Sequence, residues 1–179
     1  IMVGEIRDSE TANLAVNTAL TGHLMLSTLH TNDAATTLPR LMDLGIEPYL
    51  ITTTVNIVIG QRLVRNICEN CKKEHKIISA EKEILAKDLA ITVSEIPDIV
   101  HRGAGCDECL NSGYRGRVGI YEVMVIDDAI REAMIEKCSA ANIKKMAVEK
   151  GMSTMIEDGL RKVRSGRTTI EEVLRVIHE

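Results

Sequence analysis

Four of the five cysteines fall into two C-x-x-C pairs, CENC and CDEC, which begin at Cys68 and Cys106 and end at Cys71 and Cys109. One C-x-x-C turn lets two thiolates reach the same ion, and a second turn completes a tetrahedral four-thiolate site with no open position. That is the arrangement of a structural zinc site. The four cysteines are therefore the predicted ligands of a Zn²⁺ ion with a scaffolding role.

Two redox dithiol pairs or an iron-sulfur cluster are the alternatives for these cysteines. A thioredoxin-like pair has its first cysteine at a helix N-terminus after a strand. CENC instead follows a predicted apolar helix over residues 48–64, which disfavours redox chemistry. The spacer between the pairs is longer than in a typical zinc ribbon, so its predicted polar helix, from Ser79 to Leu89, is expected to protrude. Cys138 has no partner and is expected to pack as a small apolar side chain.

A carboxylate and two histidines form the second candidate site. The apolar run IMVG ends at Glu5, close to Arg7, and the segment HLMLSTLH begins with His23 and ends with His30. If both runs are parallel strands, Glu5 and His30 emerge at the same edge of the sheet, where α/β proteins bind ligands. The alternatives are an ion pair between Glu5 and Arg7 and a buried, hydrogen-bonded His30. Asp8 is expected to cap a helix.

The elements that position these residues follow from the periodicity. Residues 1–6 predict a buried strand and residues 23–30 a second strand, on either side of a helix, which is a βαβ unit. A helix from Asn32 or Asp33 to Gly45 follows. After the cysteine segment, a strand resumes at residues 117–126 and four helices follow. These are predicted at 127–137, 140–150 and 152–164 and, from a capping box at Thr168 and Glu171, to the end.

Composition excludes several classes of protein. A net charge of −4, no Trp or Phe and only three Tyr speak against nucleic-acid binding, which needs a basic field and stacking surfaces. No apolar stretch reaches the roughly 20 residues of a membrane span, and no secretory signal precedes the first strand. No Gly-Lys pair occurs, so the G-x-x-x-x-G-K-[ST] phosphate loop is not present in this sequence.

The motifs together resemble the secretion ATPase family that drives type II secretion and type IV pilus assembly. IMVGEIRDSETA resembles its Walker B segment, TGHLMLSTLHTNDAA its His box, and CENC with CDEC and GYRGRVGIYEV its tetracysteine module and return strand. EDGLRKVRSGRTTIEEVLRV resembles its helical ending. The resemblance implies an α/β fold: a partial RecA-like P-loop ATPase core in residues 1–66, a tetracysteine zinc module in 67–117, and a return strand with a helical subdomain in 118–179.

The same resemblance implies roles for individual residues. Glu5 would act at the Mg²⁺ and water side of the γ-phosphate of ATP, and Arg7 would support the Walker B turn. His30, with His23, would sense or polarise that phosphate, and Arg117 would approach the nucleotide base. The family's Walker A loop precedes the Walker B strand, so the chain is expected to be a C-terminal fragment that is inactive alone.

The resemblance also implies partners and a location. The full-length parent would be a homohexamer that hydrolyses ATP and pushes on an inner-membrane platform protein, peripheral at the cytoplasmic face. Pilus assembly, protein secretion and DNA uptake share this motor, and the tetracysteine module favours an assembly or secretion motor over retraction ATPases. The competing hypothesis is a non-catalytic zinc-ribbon module that binds a partner protein.

Overall fold

The computed structural model describes residues 1–177, which contain eight α-helices, two short 3-10 helices and four strands. The helices are α1 (Ser9–Leu20), α2 (Ala34–Asp43), α3 (Pro48–Thr54), α4 (Ser79–Leu89), α5 (Asp128–Ile135), α6 (Ala140–Glu149), α7 (Met155–Arg164) and α8 (Ile170–Ile177). The strands are β1 (Ile57–Ile67), β2 (Lys72–Lys76), β3 (Ile99–Gly103) and β4 (Tyr114–Val125). β1 pairs with β4, and β2 pairs with β3.

The chain packs as two compact units. The first contains residues 1–60 and 122–153, and the second contains residues 61–121 and the residues from 154 onward. The cysteine segment thus shares a unit with the C-terminal helices. The division at 1–66, 67–117 and 118–179 stays a prediction about functional modules.

The core of the first unit is built from α1, α2, α3, α5 and α6. Helix α1 begins after Asp8, whose carboxylate accepts a hydrogen bond from the Thr11 backbone N–H at 2.8 Å, so the predicted cap is confirmed. Its small residues Ala12 and Ala15 are buried, which lets neighbouring elements approach closely. Leu38 on α2 is completely buried in the same core.

The predicted strands at residues 1–6 and 23–30 are wrong in extent, and the burial predicted for residues 1–6 is wrong except at Ile6. Both segments are extended and run parallel, but they form a single isolated bridge between Met2 and Leu26. Met2 is 79% exposed and Leu24 is 77% exposed. Among the described residues no third strand extends this pair, so no sheet forms here. Ile1, Met2 and Leu26 stay exposed, whereas Ile6 is buried in the core of the first unit.

The predicted helix over residues 48–64 is also wrong beyond its first turns. Helix α3 ends at Thr54, and β1 begins at Ile57. The reason is a run of β-branched residues, which lose rotamer freedom in a helix and pack well on a pleated strand. The run follows the end of α3 and comprises Val55, Ile57, Val58 and Ile59.

The second unit packs α4 against α7 and α8, so the helix between the cysteine pairs does not protrude. Leu89 of α4, Leu160 of α7 and Val173 of α8 are buried in one cluster. Strands β2 and β3 pair antiparallel, with Lys72 opposite Gly103. The segment between the cysteine pairs therefore shares its apolar core with the C-terminal helices.

The predicted C-terminal helices are present, although α7 begins at Met155 rather than at residue 152 and the N-cap of α8 is shifted by one residue. The predicted end of the last helix, at residues 178–179, lies outside the described residues. Thr169, not Thr168, accepts a hydrogen bond from the backbone N–H of Glu172. Thr168 Oγ1 instead donates to the backbone carbonyl of Arg65 at 2.8 Å, which keeps it from capping α8. None of the helices within residues 1–177 is long and apolar enough to cross a membrane.

Candidate functional site

The first candidate site is a contact between Glu5 and His30 in the first unit. The backbone N–H of Ile6 donates to the carbonyl of Thr28 at 2.9 Å, and Thr28 Oγ1 donates to the carbonyl of Gly4 at 2.7 Å. This register sets the two extended segments side by side. His30 Nε2 then lies 2.8 Å from Glu5 Oε2, as the prediction of a shared edge requires.

Glu5 is held as a carboxylate by its two partners. Arg7 contacts the other carboxylate oxygen, Oε1, at 2.6 Å. Hydrogen bonds from His30 and then from Arg7 hold the pKa of Glu5 below its ordinary value of 4.5. A carboxylate with a low pKa orients water or a cation better than it accepts a proton. The ion pair with Arg7 and the contact with His30 thus occur together.

The N-terminus of α2 holds the loop that follows His30. The Asp33 carboxylate caps α2 by accepting from the Thr36 N–H, and the two residues form a reciprocal capping box. Lys144 of α6 reaches Asp33 Oδ2 at 2.9 Å. Thr31 and Thr37 share a hydrogen bond of 2.9 Å between their hydroxyls. The loop after His30 is thereby fixed on both sides.

Glu122 is a functional candidate that sequence reasoning missed. It is 2% exposed, and its Oε1 accepts a hydrogen bond from the backbone N–H of Ala34 at 2.6 Å, at the start of α2. A Cβ on Gly60 would lie 2.8 Å from Glu122 Cγ, so the glycine makes room for this side chain. The only sequence signal was a glutamate inside the apolar strand GIYEVMVI.

The remaining predicted site residues lie elsewhere. His23 is exposed, and its Nδ1 lies 3.0 Å from Thr21 Oγ1 rather than at the pair formed by Glu5 and His30. Arg117 is exposed on β4 and belongs to the second unit. The structure therefore brings Glu5, Arg7 and His30 together within the first unit, with His23 apart from them.

The second candidate site is the cluster of Cys68, Cys71, Cys106 and Cys109. Their four sulfur atoms lie within 4.8 Å of one another. The separations are 3.8 Å for Cys68 and Cys106, 3.8 Å for Cys71 and Cys109, and 3.7 Å for Cys106 and Cys109. Zinc bonds of about 2.3 Å in a tetrahedron place sulfur atoms roughly 3.8 Å apart. The donor set and the spacing fit Zn²⁺.

Backbone groups around the cluster favour a thiolate at Cys109. Burial alone would raise the pKa of this thiol, but hydrogen bonds from the backbone N–H groups of Cys106 and Gly113 outweigh burial and lower it to about 6. Burial raises the pKa of Cys106 to about 11. The loops approach closely, since a Cβ on Gly103 would lie 2.0 Å from the carbonyl oxygen of Gly113.

The chain context of CENC differs from the expectation. Cys68 follows strand β1 rather than a helix, because the predicted helix over residues 48–64 does not form. A turn and then β2 follow it, so the helix N-terminus of a thioredoxin-like site is still missing. Cys138 packs against the apolar core of the first unit, as predicted.

Comparison with known proteins decides the family. The family model described as "Type II/IV secretion system protein" matches residues 1–175. The chain belongs to the type II/IV secretion system protein family. It is 49% identical over 175 residues to the type IV pilus assembly ATPase PilB of Thermus thermophilus, covering 97% of this chain and 19% of that protein. It is 48% identical over 179 residues to the type II secretion system protein E of Pseudomonas aeruginosa, covering 100% of this chain and 34% of that protein.

Two solved structures share the fold of this chain. The pilus retraction motor PilT with bound ADP matches with a TM-score of 0.63 and 23% identity, covering 98% of this chain and 38% of that one. The ATPase DotB of Legionella pneumophila matches with a TM-score of 0.61 and 22% identity, covering 99% and 38%. The α/β fold is thus confirmed as that of these ATPases. The chain spans only about a fifth to a third of the length of the two curated relatives.

Proposed function

We propose that this chain supplies the Walker B and His-box edge of a motor ATPase that couples ATP hydrolysis to type IV pilus assembly or type II secretion. The observation that carries the proposal is the 2.8 Å contact between His30 Nε2 and Glu5 Oε2, in a chain that belongs to this family. The relatives named as pilus assembly ATPases support the activity.

Glu5 and His30 have complementary roles in this proposal. Phosphoryl transfer to water asks mainly for positioning and for stabilisation of charge. Mg²⁺ and ATP supply that charge chemistry when bound, and Glu5 orients the attacking water or a ligand of the cation. Arg7 keeps Glu5 ionised. His30 senses the γ-phosphate, because its hydrogen bond with Glu5 would be replaced by one with the phosphate when ATP is bound.

The test compares Glu5→Gln and His30→Ala in the full-length parent protein. We expect Glu5→Gln to lower kcat by at least about 100-fold, since a positioned carboxylate contributes roughly that much or more, while nucleotide affinity stays within a few-fold. His30→Ala should lower kcat less. The rates are measured by phosphate release, and affinity by a fluorescent ATP analogue.

Glu10→Gln is the matched control, because Glu10 is an exposed glutamate in the first turn of α1. It should leave kcat within twofold. Normal hydrolysis by Glu5→Gln would contradict the motor proposal and favour the alternative of a zinc-ribbon module that binds a partner protein. We also expect the 179-residue chain alone not to hydrolyse ATP, since it contains no Gly-Lys pair for a phosphate loop.

The four clustered cysteines would hold one structural Zn²⁺ in this proposal. A four-thiolate site leaves no open position, so the ion stabilises the loops and takes no part in hydrolysis. The sulfur separations near 3.8 Å support it. The metal would cross-link residues 68–71 to 106–109, two segments far apart in sequence.

Assembly and partners follow the same proposal. The full-length parent would form a homohexamer, act on an inner-membrane platform protein and lie at the cytoplasmic face of that membrane without binding nucleic acid. Membership of a secretion family supports this. Native mass spectrometry of the parent should give a sixfold assembly, and a monomer in the presence of ATP would contradict it.

A further inference from the structure

The second unit has a cavity that is open to solvent. Its volume is about 370 Å³. It is lined by residues 66–70, at the end of β1 and in the turn that follows, and by Arg115 and Arg167. Ligand pockets measure roughly 300–1,000 Å³, so this one suits a small ligand or a short piece of a larger one.

The charges of the lining leave one cation unmatched. The Arg115 guanidinium contacts the Glu108 carboxylate at 2.5 Å. Glu69 lies 3.5 Å from Lys72 Nζ. The Arg167 guanidinium has no hydrogen bond or ion pair within residues 1–177, although its backbone carbonyl accepts from the Ile67 N–H. The cavity therefore offers one free guanidinium, which matches a single negative charge.

An unsatisfied amide lines the same cavity. Asn66 Oδ1 is buried and accepts no hydrogen bond. An unpaired buried acceptor costs roughly 1–3 kcal/mol, and a donor that enters the cavity removes that cost. Rotation of the Asn66 amide would turn Oδ1 from its buried position toward the cavity, where this oxygen accepts a hydrogen bond from a bound donor.

We propose that this cavity binds a carboxylate-bearing peptide segment of a partner protein. The peptide carboxylate would pair with Arg167, and a peptide N–H would bond to Asn66. A peptide offers both groups within a few ångströms, whereas inorganic phosphate carries more charge than one guanidinium balances. Glu69 in the lining also repels a multiply charged anion more strongly than a single carboxylate.

The test titrates the ¹⁵N-labelled chain with two blocked tripeptides, acetyl-glycyl-glutamyl-glycinamide and acetyl-glycyl-glutaminyl-glycinamide, and with acetate and inorganic phosphate. The glutamyl peptide should cause saturable shifts in the amide signals of residues 66–70, Arg115 and Arg167. Its dissociation constant should be at least fivefold lower than that of the glutaminyl peptide or acetate. Equal affinity of the two peptides, tighter binding of phosphate, or shifts confined to other residues would overturn the proposal.

Variants separate the cavity from surface charge in general. Arg167→Gln should weaken glutamyl-peptide binding about tenfold, because it removes a charge-assisted hydrogen bond. Asn66→Ala should weaken it several-fold. Arg161→Gln, which removes an exposed arginine of α7 outside the cavity, should change it less than twofold. If Arg167→Gln does not fold, the Asn66→Ala variant and the comparison of the two peptides still test whether the cavity binds a carboxylate. The amide shifts do not depend on ATP hydrolysis.

Discussion

Glu172→Gln tests whether a buried carboxylate stabilises the second unit. Glu172 is 2% exposed, and its Oε2 accepts a hydrogen bond from the Arg65 backbone N–H at 2.9 Å. Its Oε1 contacts the Arg65 guanidinium at 2.7 Å, and Arg175 contacts Oε2 at 3.0 Å. The neighbouring Glu171→Gln is the matched control, because Glu171 is half-exposed and contacts Arg102 on the surface.

The magnitude follows from the pKa of Glu172. Burial raises this pKa, but hydrogen bonds from Arg175 and Arg65 outweigh burial and lower it from 4.5 to about 2. A shift of that size corresponds to roughly 3 kcal/mol. Glu172→Gln should therefore lower the free energy of unfolding by about 3 kcal/mol at pH 7. Glu171→Gln should cost less than about 1 kcal/mol, as exposed ion pairs do.

The pH dependence gives the sign of the effect. Because the folded pKa is lower than the unfolded one, the stabilisation is complete above about pH 4.5 and is lost as the pH falls toward 2. The difference between the wild-type chain and Glu172→Gln should shrink over that window. Urea unfolding measures this difference in the free energy of unfolding. The amide signals of β1 and α8 follow the transition, and a chelator is present in every sample. Equal effects of both variants at pH 7, or a constant difference from pH 7 to pH 3, would refute the reasoning.

Three further predictions concern other parts of the chain. Gly60→Ala should lower the free energy of unfolding of the first unit by about 1–3 kcal/mol, because its Cβ would overlap Glu122; thermal unfolding measures this. Cys68→Ser should abolish binding of about one zinc ion per chain in elemental analysis, whereas Cys138→Ser should retain it. Asp33→Ala should destabilise α2 by about 1–2 kcal/mol through loss of its cap, visible as faster amide hydrogen exchange at the start of α2.

The sequence predicted best the features that depend on near neighbours in the chain. The cap at Asp8 and the bounds of α4 are confirmed, because capping and helical periodicity are local. The two C-x-x-C pairs lie in one cluster, as predicted, since each turn already places two sulfur atoms close together. The contact of Glu5 with His30 followed from one further assumption, that two apolar runs lie parallel.

Burial and strand pairing were harder to predict, because they depend on what lies beside a segment. The run at residues 1–6 has the composition of a central strand, and yet Met2 is exposed where no further strand extends the pair. Residues 57–59 can be read as helix or strand from their apolar pattern alone. Their β-branched side chains decide for a strand, and β4, more than 50 residues away, supplies its partner.

The residues that sequence reasoning missed share one physical property, which is a charged group whose partner is distant in the chain. Glu122 bonds to Ala34 across 88 positions, Lys144 to Asp33 across 111, and Glu172 to Arg65 across 107. No local period marks such a group, and its charge suggests a solvent-exposed position. A buried carboxylate is tolerated only where donors are already in place. Glu122 and Glu172 each mark a tertiary contact, and replacing either should destabilise the fold far more than replacing a neighbouring exposed acid.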